Sequence, residues 1–225
     1  MAGKLIVFEG TDGSGKSTQF AHLCARLEEE GRPFQRLVFP QYDKPSSALL
    51  RMYLNGEFGS RPEDVNAYAA SAFYAVDRYA SWKQVWGEYY REGGLVLADR
   101  YTTSNAVHQA CKLPQEQWEG FFRWLEDFEF NKLGLPRPDA VVYLDMPTER
   151  SVSLLRAREA ATHTTGDIHE VDTDYLALCR KTALRAAGCL GWRRVACTGA
   201  DGQVRSIEDI AREIEEILAP FFYEV

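Results

Sequence analysis

Short apolar runs alternate along the chain with longer stretches whose apolar residues recur every three or four positions. Lys4-Leu-Ile-Val-Phe8 has strand composition. Behind it Phe20, Leu23, Cys24 and Leu27 repeat at helical spacing, and Gly31 stands where a helix stops. Four further runs read as strands: Gln35–Phe39, Leu95–Ala98, Ala140–Leu144 and Arg193–Cys197. Helical patterns separate them. Pro62–Arg91 is long enough to hold an internal break. Pro114–Leu133 carries Trp118, Phe121, Phe122, Leu125 and Phe128 as one stripe, read as core, with a dimer face as the sharper alternative. Asp172–Ala187 is a further helix. In the last one Ser206 is the expected N-cap. Ile207, Ile210, Ala211, Ile214, Ile217 and Leu218 form its apolar face, and Pro220 its end. The alternation predicts an α/β fold: a five-stranded parallel sheet covered by helices on both faces. Ligands of such sheets bind beyond the C-terminal ends of the strands.

The 225 residues, 45% hydrophobic and 26% charged, fit one domain spanning 1–225. A formal charge of −7 weighs against a nucleic-acid partner. The five cysteines form no C-x-x-C pair and read as reduced, mostly buried thiols of a cytoplasmic protein. No signal peptide is expected, and no apolar run approaches the roughly 20 residues of a membrane span, so no membrane partner is expected either.

Gly10-Thr-Asp-Gly-Ser-Gly-Lys-Ser17 fits G-x-x-x-x-G-K-[ST] at every constrained position, between a strand and a helix. That context makes an anion cradle of backbone N–H groups and a positive helix end, the P-loop of the NTPases. The cradle takes ATP through Gly10, Thr11, Asp12, Gly13, Ser14, Gly15, Lys16, Ser17 and Thr18. Lys16 reaches the β/γ-phosphates, and the Ser17 hydroxyl ligates Mg²⁺.

Other clusters follow the other strands. The second strand leads into Phe39, Pro40 and Tyr42. Tyr74 and Arg78 lie four apart on one helix face, a ring and a guanidinium suited to a nucleoside monophosphate. Asp99-Arg100-Tyr101 ends the third strand, where a carboxylate can act on Mg²⁺ or its waters; a structural Asp–Arg pair is the plainer reading. Asp145 ends the fourth strand, and turn and helix capping is its expected role. Arg156 and Arg158 precede a polar stretch, Glu159–Glu170, with the look of a lid over about 157–171. Helix capping by these arginines is the bland alternative. His22, His108, His163 and His169 show no metal spacing.

Together these motifs resemble the thymidylate kinase family: Phe8–Gln19, Phe39-Pro40, Phe73–Arg78, Asp99-Arg-Tyr-x-x-Ser-Asn105, Val142-Tyr-Leu-Asp145 and Asp167-Ile-His-Glu170 occur in its order, from about Leu5 to Leu218. The resemblance implies phosphorylation of dTMP by ATP with Mg²⁺ in a homodimer. By position it implies that Lys16 grips the transferring phosphoryl group and Arg100 bridges the two phosphates. Arg78 holds the acceptor phosphate, and Tyr74, where Phe is usual, stacks on thymine. Asn105 and Gln109 lie near the base edge, and Tyr101 crowds C2′ against ribonucleotides. Asp12 lies near Mg²⁺ and the 3′-OH, and Asp99 supports the metal–phosphate array. Two positions and one loop depart from the pattern. Gly13 replaces an Arg of some members, which turns attention to Arg156 and Arg158. His108 replaces a frequent Tyr, and the Asp43–Ser47 loop differs.

A monophosphate oxygen is already largely dianionic at pH 7, so such a reaction needs alignment and charge neutralisation, not a base. Two other readings stay open. One is a related P-loop kinase acting on another monophosphate or on a deoxynucleoside, where Glu9 or Asp99 would serve as base. The other is a nucleotide-dependent switch, in which the Tyr74/Arg78 cluster has no use.

Overall fold

The computed structural model describes residues 2–59, 61–162 and 173–222, the side chains of Pro62 and 158–162 excepted. Five strands, β1 (Lys4–Glu9), β2 (Gln35–Val38), β3 (Leu95–Asp99), β4 (Ala140–Asp145) and β5 (Arg193–Ala196), form one parallel sheet in the order β2-β3-β1-β4-β5. Gln35 pairs with Val96 through to Val38 with Asp99, and Val142 with Arg193 through to Asp145 with Ala196. β4 is buried along its whole length and β1 at all but its first residue, whereas β2 and β5 each bury only one. Runs buried on both faces are what helix-covered parallel strands require. Each strand lies within one residue of its expected bounds.

The helices are α1 (Lys16–Glu29), α2 (Ala48–Leu54), α3 (Ala67–Ser81), α4 (Gly87–Arg91), α5 (Thr103–His108), α6 (Trp118–Glu126), α7 (Thr148–Thr162), α8 (Thr173–Leu190) and α9 (Ile207–Phe222). The chain divides into two compact units, 1–7 with 34–139 and 8–33 with 140–225.

In the first unit the long helical pattern breaks before Ala67, where the Asn66 side chain accepts the Ala69 N–H at 2.9 Å. A π turn, Trp82–Trp86, then joins α3 to α4. A second π turn, Asp127–Lys132, continues α6. Trp118, Phe121, Phe122 and Leu125 are buried as the stripe predicts. The next inward residue, however, is Glu129, fully buried, while Phe128 is half-buried and stacks on Trp124 at 5.1 Å. Helical spacing admits either residue on that face; hydrophobicity favoured Phe128, and the π turn delivers Glu129.

In the second unit α1 packs on α9 through Leu23, Leu27, Ile210, Ile214 and Leu218, all buried. The Gln19 amide donates to the Ile207 carbonyl at 3.0 Å. Gly31, at φ 66°, closes α1: its N–H reaches Glu28 and that of Arg32 reaches Leu27, the paired bonds of a Schellman end. Ser206 caps α9, accepting the Asp209 N–H at 3.0 Å. Pro220 does not end that helix, which runs to Phe222. Proline lacks an N–H, so the helix gives up one i→i−4 bond there and the earlier turns keep theirs.

Candidate active site

The second unit carries the phosphate loop. β1 ends on buried Glu9, whose carboxylate accepts the Gly10 N–H at 2.9 Å. The chain then turns through Gly13 (φ 76°) and Gly15 (φ 81°), and α1 starts at Lys16. The two glycines serve different ends. A Cβ on Gly13 would lie 2.4 Å from the Ser151 carbonyl oxygen of α7, whereas one on Gly15 meets nothing within 4 Å and needs only its left-handed φ. A side chain therefore has no room at position 13. Lys16 is buried, Asp12 half-buried, and Ser17 and Thr18 are exposed. The Ser14 hydroxyl is buried without a protein partner, and a Cβ on Gly10 would press it at 2.5 Å. An orphan hydroxyl, a buried ammonium and a tight glycine turn fit a polyphosphate. Mg²⁺, which takes one or two protein oxygens and completes its shell with phosphate and water, fits Ser17 and Asp12.

The first unit carries the other cluster. Phe39 N–H donates to the Asp99 carbonyl at 3.0 Å and ties the ends of β2 and β3 together. The Phe39-Pro40 peptide is cis. Asp99 is buried, and Arg100 follows it at φ 67°, a conformation that costs a non-glycine residue roughly 1–2 kcal/mol. Arg100 Nη1 lies 3.1 Å from His108 Nε2 and 3.4 Å from Ser104 Oγ. A guanidinium only donates, so His108 accepts through a neutral Nε2. Tyr101 is fully buried, its ring beside Phe39 and Trp86 and its hydroxyl donating to the Pro136 carbonyl at 3.2 Å. Burial raises its pKa well above the usual tyrosine value. Tyr74 is half-buried against Leu50, Tyr53, Val65 and Ala70. Its hydroxyl pKa is raised by burial, then by Tyr53 and Tyr42, with the charges of Arg100 and Arg78 pulling the other way.

Arg78 departs most from expectation. It is buried, and its fork is closed on Glu129: Nε donates to Oε2 at 2.7 Å and Nη2 to Oε1 at 2.6 Å. Asn105, also buried, gives Nδ2 to Glu129 Oε1 at 3.1 Å and to the Ser71 carbonyl at 3.2 Å. Two acceptors at Nδ2 fix the amide group's orientation and leave Oδ1 as its acceptor. Gln109 is buried with Oε1 unpartnered. Tyr42 lies exposed.

Sequence reasoning missed Glu129, hidden within an aromatic stripe, and two residues that fix the loop after β2. Buried Asp77 accepts the Gln41 N–H at 2.8 Å and the Ser46 hydroxyl at 2.6 Å. Arg51 donates to the carbonyls of Tyr42 and Lys44. Asp145 is corrected from cap to ion-pair hub: its buried carboxylate takes Arg180 Nε and Arg194 Nε, each at 2.7 Å. Two guanidiniums outcompete a lone backbone N–H for one carboxylate. Arg156 is exposed on α7, whereas the side chain of Arg158 and residues 163–172, with His163 and His169, lie outside the described residues. Among the described residues no three His, Cys, Asp or Glu gather as a metal cage, and no helix is long and apolar enough to cross a membrane.

A family model for thymidylate kinase matches residues 8–191. The chain is 34% identical over 155 residues to a thymidylate kinase of Mycobacterium tuberculosis, covering 68% of this chain and 71% of that one. It is 29% identical over 231 residues to one from Pelotomaculum thermopropionicum, covering 98% and 97%. A solved thymidylate kinase structure from Candida albicans shares the fold, with a TM-score of 0.70 at 22% identity, over 97% of this chain and 92% of that one.

Proposed function

The chain belongs to the thymidylate kinase family, and we propose that it transfers the γ-phosphoryl group of ATP to dTMP, giving ADP and dTDP. The loop Gly10–Thr18 holds the donor phosphates through backbone N–H groups, with Lys16 on the β/γ oxygens. Ser17 and Asp12 would hold Mg²⁺, which would supply charge neutralisation at the phosphates, with Asp99 in a supporting role. The acceptor phosphate is largely a dianion near pH 7 and its attacking oxygen carries no proton, so no residue needs to take one. Arg100 serves the acceptor phosphate and the transition-state charge, a task worth about 10³–10⁵ in rate for an arginine so used. Because Gly13 admits no cation, Arg156 and Arg158 supply the remaining positive charge.

Arg78 takes a different part from the phosphate contact its position suggested. Its charge is matched by Glu129, which makes it a poor grip for a dianion and a good donor to a neutral carbonyl. The observation that carries the base assignment is the polarity of this pair: Arg78 offers N–H donors and Asn105 offers an oxygen acceptor. Thymine presents the complement, a carbonyl beside an N–H. Cytosine presents the reverse, an amino group beside a bare nitrogen, and unmatched buried groups cost about 1–3 kcal/mol. Tyr74 stacks on the base, Phe39, Pro40, Tyr42 and Gln109 complete its surroundings, and Tyr101 shapes the sugar side against a 2′-OH. The protein works in the cytoplasm as a homodimer.

The test is ADP release with dTMP, dUMP, dCMP, UMP, AMP, GMP and thymidine. We expect dTMP and dUMP to exceed dCMP about 10- to 100-fold in kcat/KM, as one to two mismatched bonds imply. Equal use of dCMP, or a preference for thymidine, would contradict the reading.

A further inference from the structure

The geometry points to Glu129 as the positioning residue that sets base selectivity; this rests on the reading of Arg78 and Asn105 as the base contacts. Glu129 is fully buried in the π turn Asp127–Lys132. π turns in otherwise regular helices recur at functional sites. Here the turn carries a carboxylate to the face that Trp118, Phe121, Phe122 and Leu125 fill with apolar side chains.

Both Glu129 oxygens are in use. Oε2 takes Arg78 Nε at 2.7 Å, and Oε1 takes Arg78 Nη2 at 2.6 Å together with Asn105 Nδ2 at 3.1 Å. Three consequences follow from donor and acceptor inventories alone. The fork pins the guanidinium plane, so Nη1 and the second Nη2 hydrogen keep one direction. An ionised carboxylate only accepts, so it holds the Asn105 NH₂ inward, with the Ser71 carbonyl as second acceptor at 3.2 Å. Asn105 Oδ1 must then be the atom offered to a base. Glu129 touches no substrate; it acts by fixing which atoms of two other side chains do.

A packing role alone makes a different forecast from a polarity role. In Glu129→Gln the new amide brings its own N–H donors against Arg78 and Asn105. The Asn105 amide is then free to turn its NH₂ toward the base. That amide orientation suits cytosine's bare ring nitrogen and opposes thymine's N–H.

The experiment compares dTMP and dCMP kinetics in wild type, Glu129→Gln and Glu129→Asp, with folding checked by circular dichroism. In Glu129→Gln the ratio of kcat/KM for dTMP over dCMP should fall at least tenfold. The dTMP loss should lie mainly in KM, and KM for ATP should stay within twofold. Glu129→Asp keeps the charge but reaches one bond less far, so it should fall between the two; it carries the test if the Gln variant does not fold. An unchanged ratio in whichever variant folds would overturn the proposal. So would a parallel loss for both nucleotides with a matching ATP defect. A wild type that does not prefer dTMP over dCMP would instead overturn the base contacts themselves, and the Glu129 role with them. A selective wild type with equally selective variants overturns Glu129 alone.

Discussion

One methyl group is enough to probe the phosphate loop. At Gly13 a Cβ would stand 2.4 Å from a backbone oxygen and force φ 76° on an L residue; at Gly15 only the φ of 81° objects. The left-handed penalty is about 1–2 kcal/mol and common to both. Gly13→Ala should therefore raise KM for ATP and lower kcat/KM at least tenfold, clearly more than Gly15→Ala. Steady-state ATP titrations of the two variants decide it, and equal defects would show that the contact with Ser151 does not shape the loop. The same crowding bars a cation from position 13, which is why the proposed mechanism assigns that charge to Arg156 and Arg158. Arg156→Ala should lower kcat more than it raises either KM, the sign of a contact made in the transition state. Wild-type kcat in that variant would leave the charge to Lys16, Arg100 and Mg²⁺.

Elements were legible where one physical signal ruled them. Buried parallel strands need unbroken apolar runs, and β1, β3 and β4 lie within one residue of such runs, whereas the edge strands β2 and β5 bury one residue each. Glycine at φ 66° marked the end of α1, and Ser206 the start of α9. The glycine-rich loop was legible because its spacing is itself the mechanism. What stayed hidden depends on partners far along the chain. Nothing local says that Glu129, rather than Phe128, will face inward, since a π turn has no sequence signature. The positive φ of Arg100 is equally silent, because that residue type has no liking for it. Asp145 was misread for the same reason: its arginine partners lie 35 and 49 residues on. A simple exchange separates the two roles. Asn caps as well as Asp, so a capping Asp145 would tolerate Asp145→Asn. A buried carboxylate serving Arg180 and Arg194 would not. Both arginines are partly exposed, which moderates the loss to about 1–3 kcal/mol, read from urea unfolding. A change below about 0.5 kcal/mol would restore the capping role.

At the scale of the whole molecule, thiol chemistry checks the packing. Cys24, Cys111, Cys179 and Cys197 are buried and Cys189 is exposed. Burial, with Asp145 nearby, pushes the Cys197 thiol up to about 12, so it holds almost no thiolate at neutral pH. A native sample should show one fast-reacting thiol, lost in Cys189→Ser, and five once denatured. Two or more fast thiols in the native protein would contradict the described core. The functional account turns on where the γ-phosphoryl group goes. A kinase passes it to a nucleotide, whereas a switch gives it to water. Labelling ATP at the γ-phosphate, adding dTMP and Mg²⁺, and separating the products tests this most directly. The account predicts label in dTDP in step with ADP, little free phosphate, and neither product from Lys16→Ala. Label released mainly as inorganic phosphate, at a rate indifferent to dTMP, would contradict it.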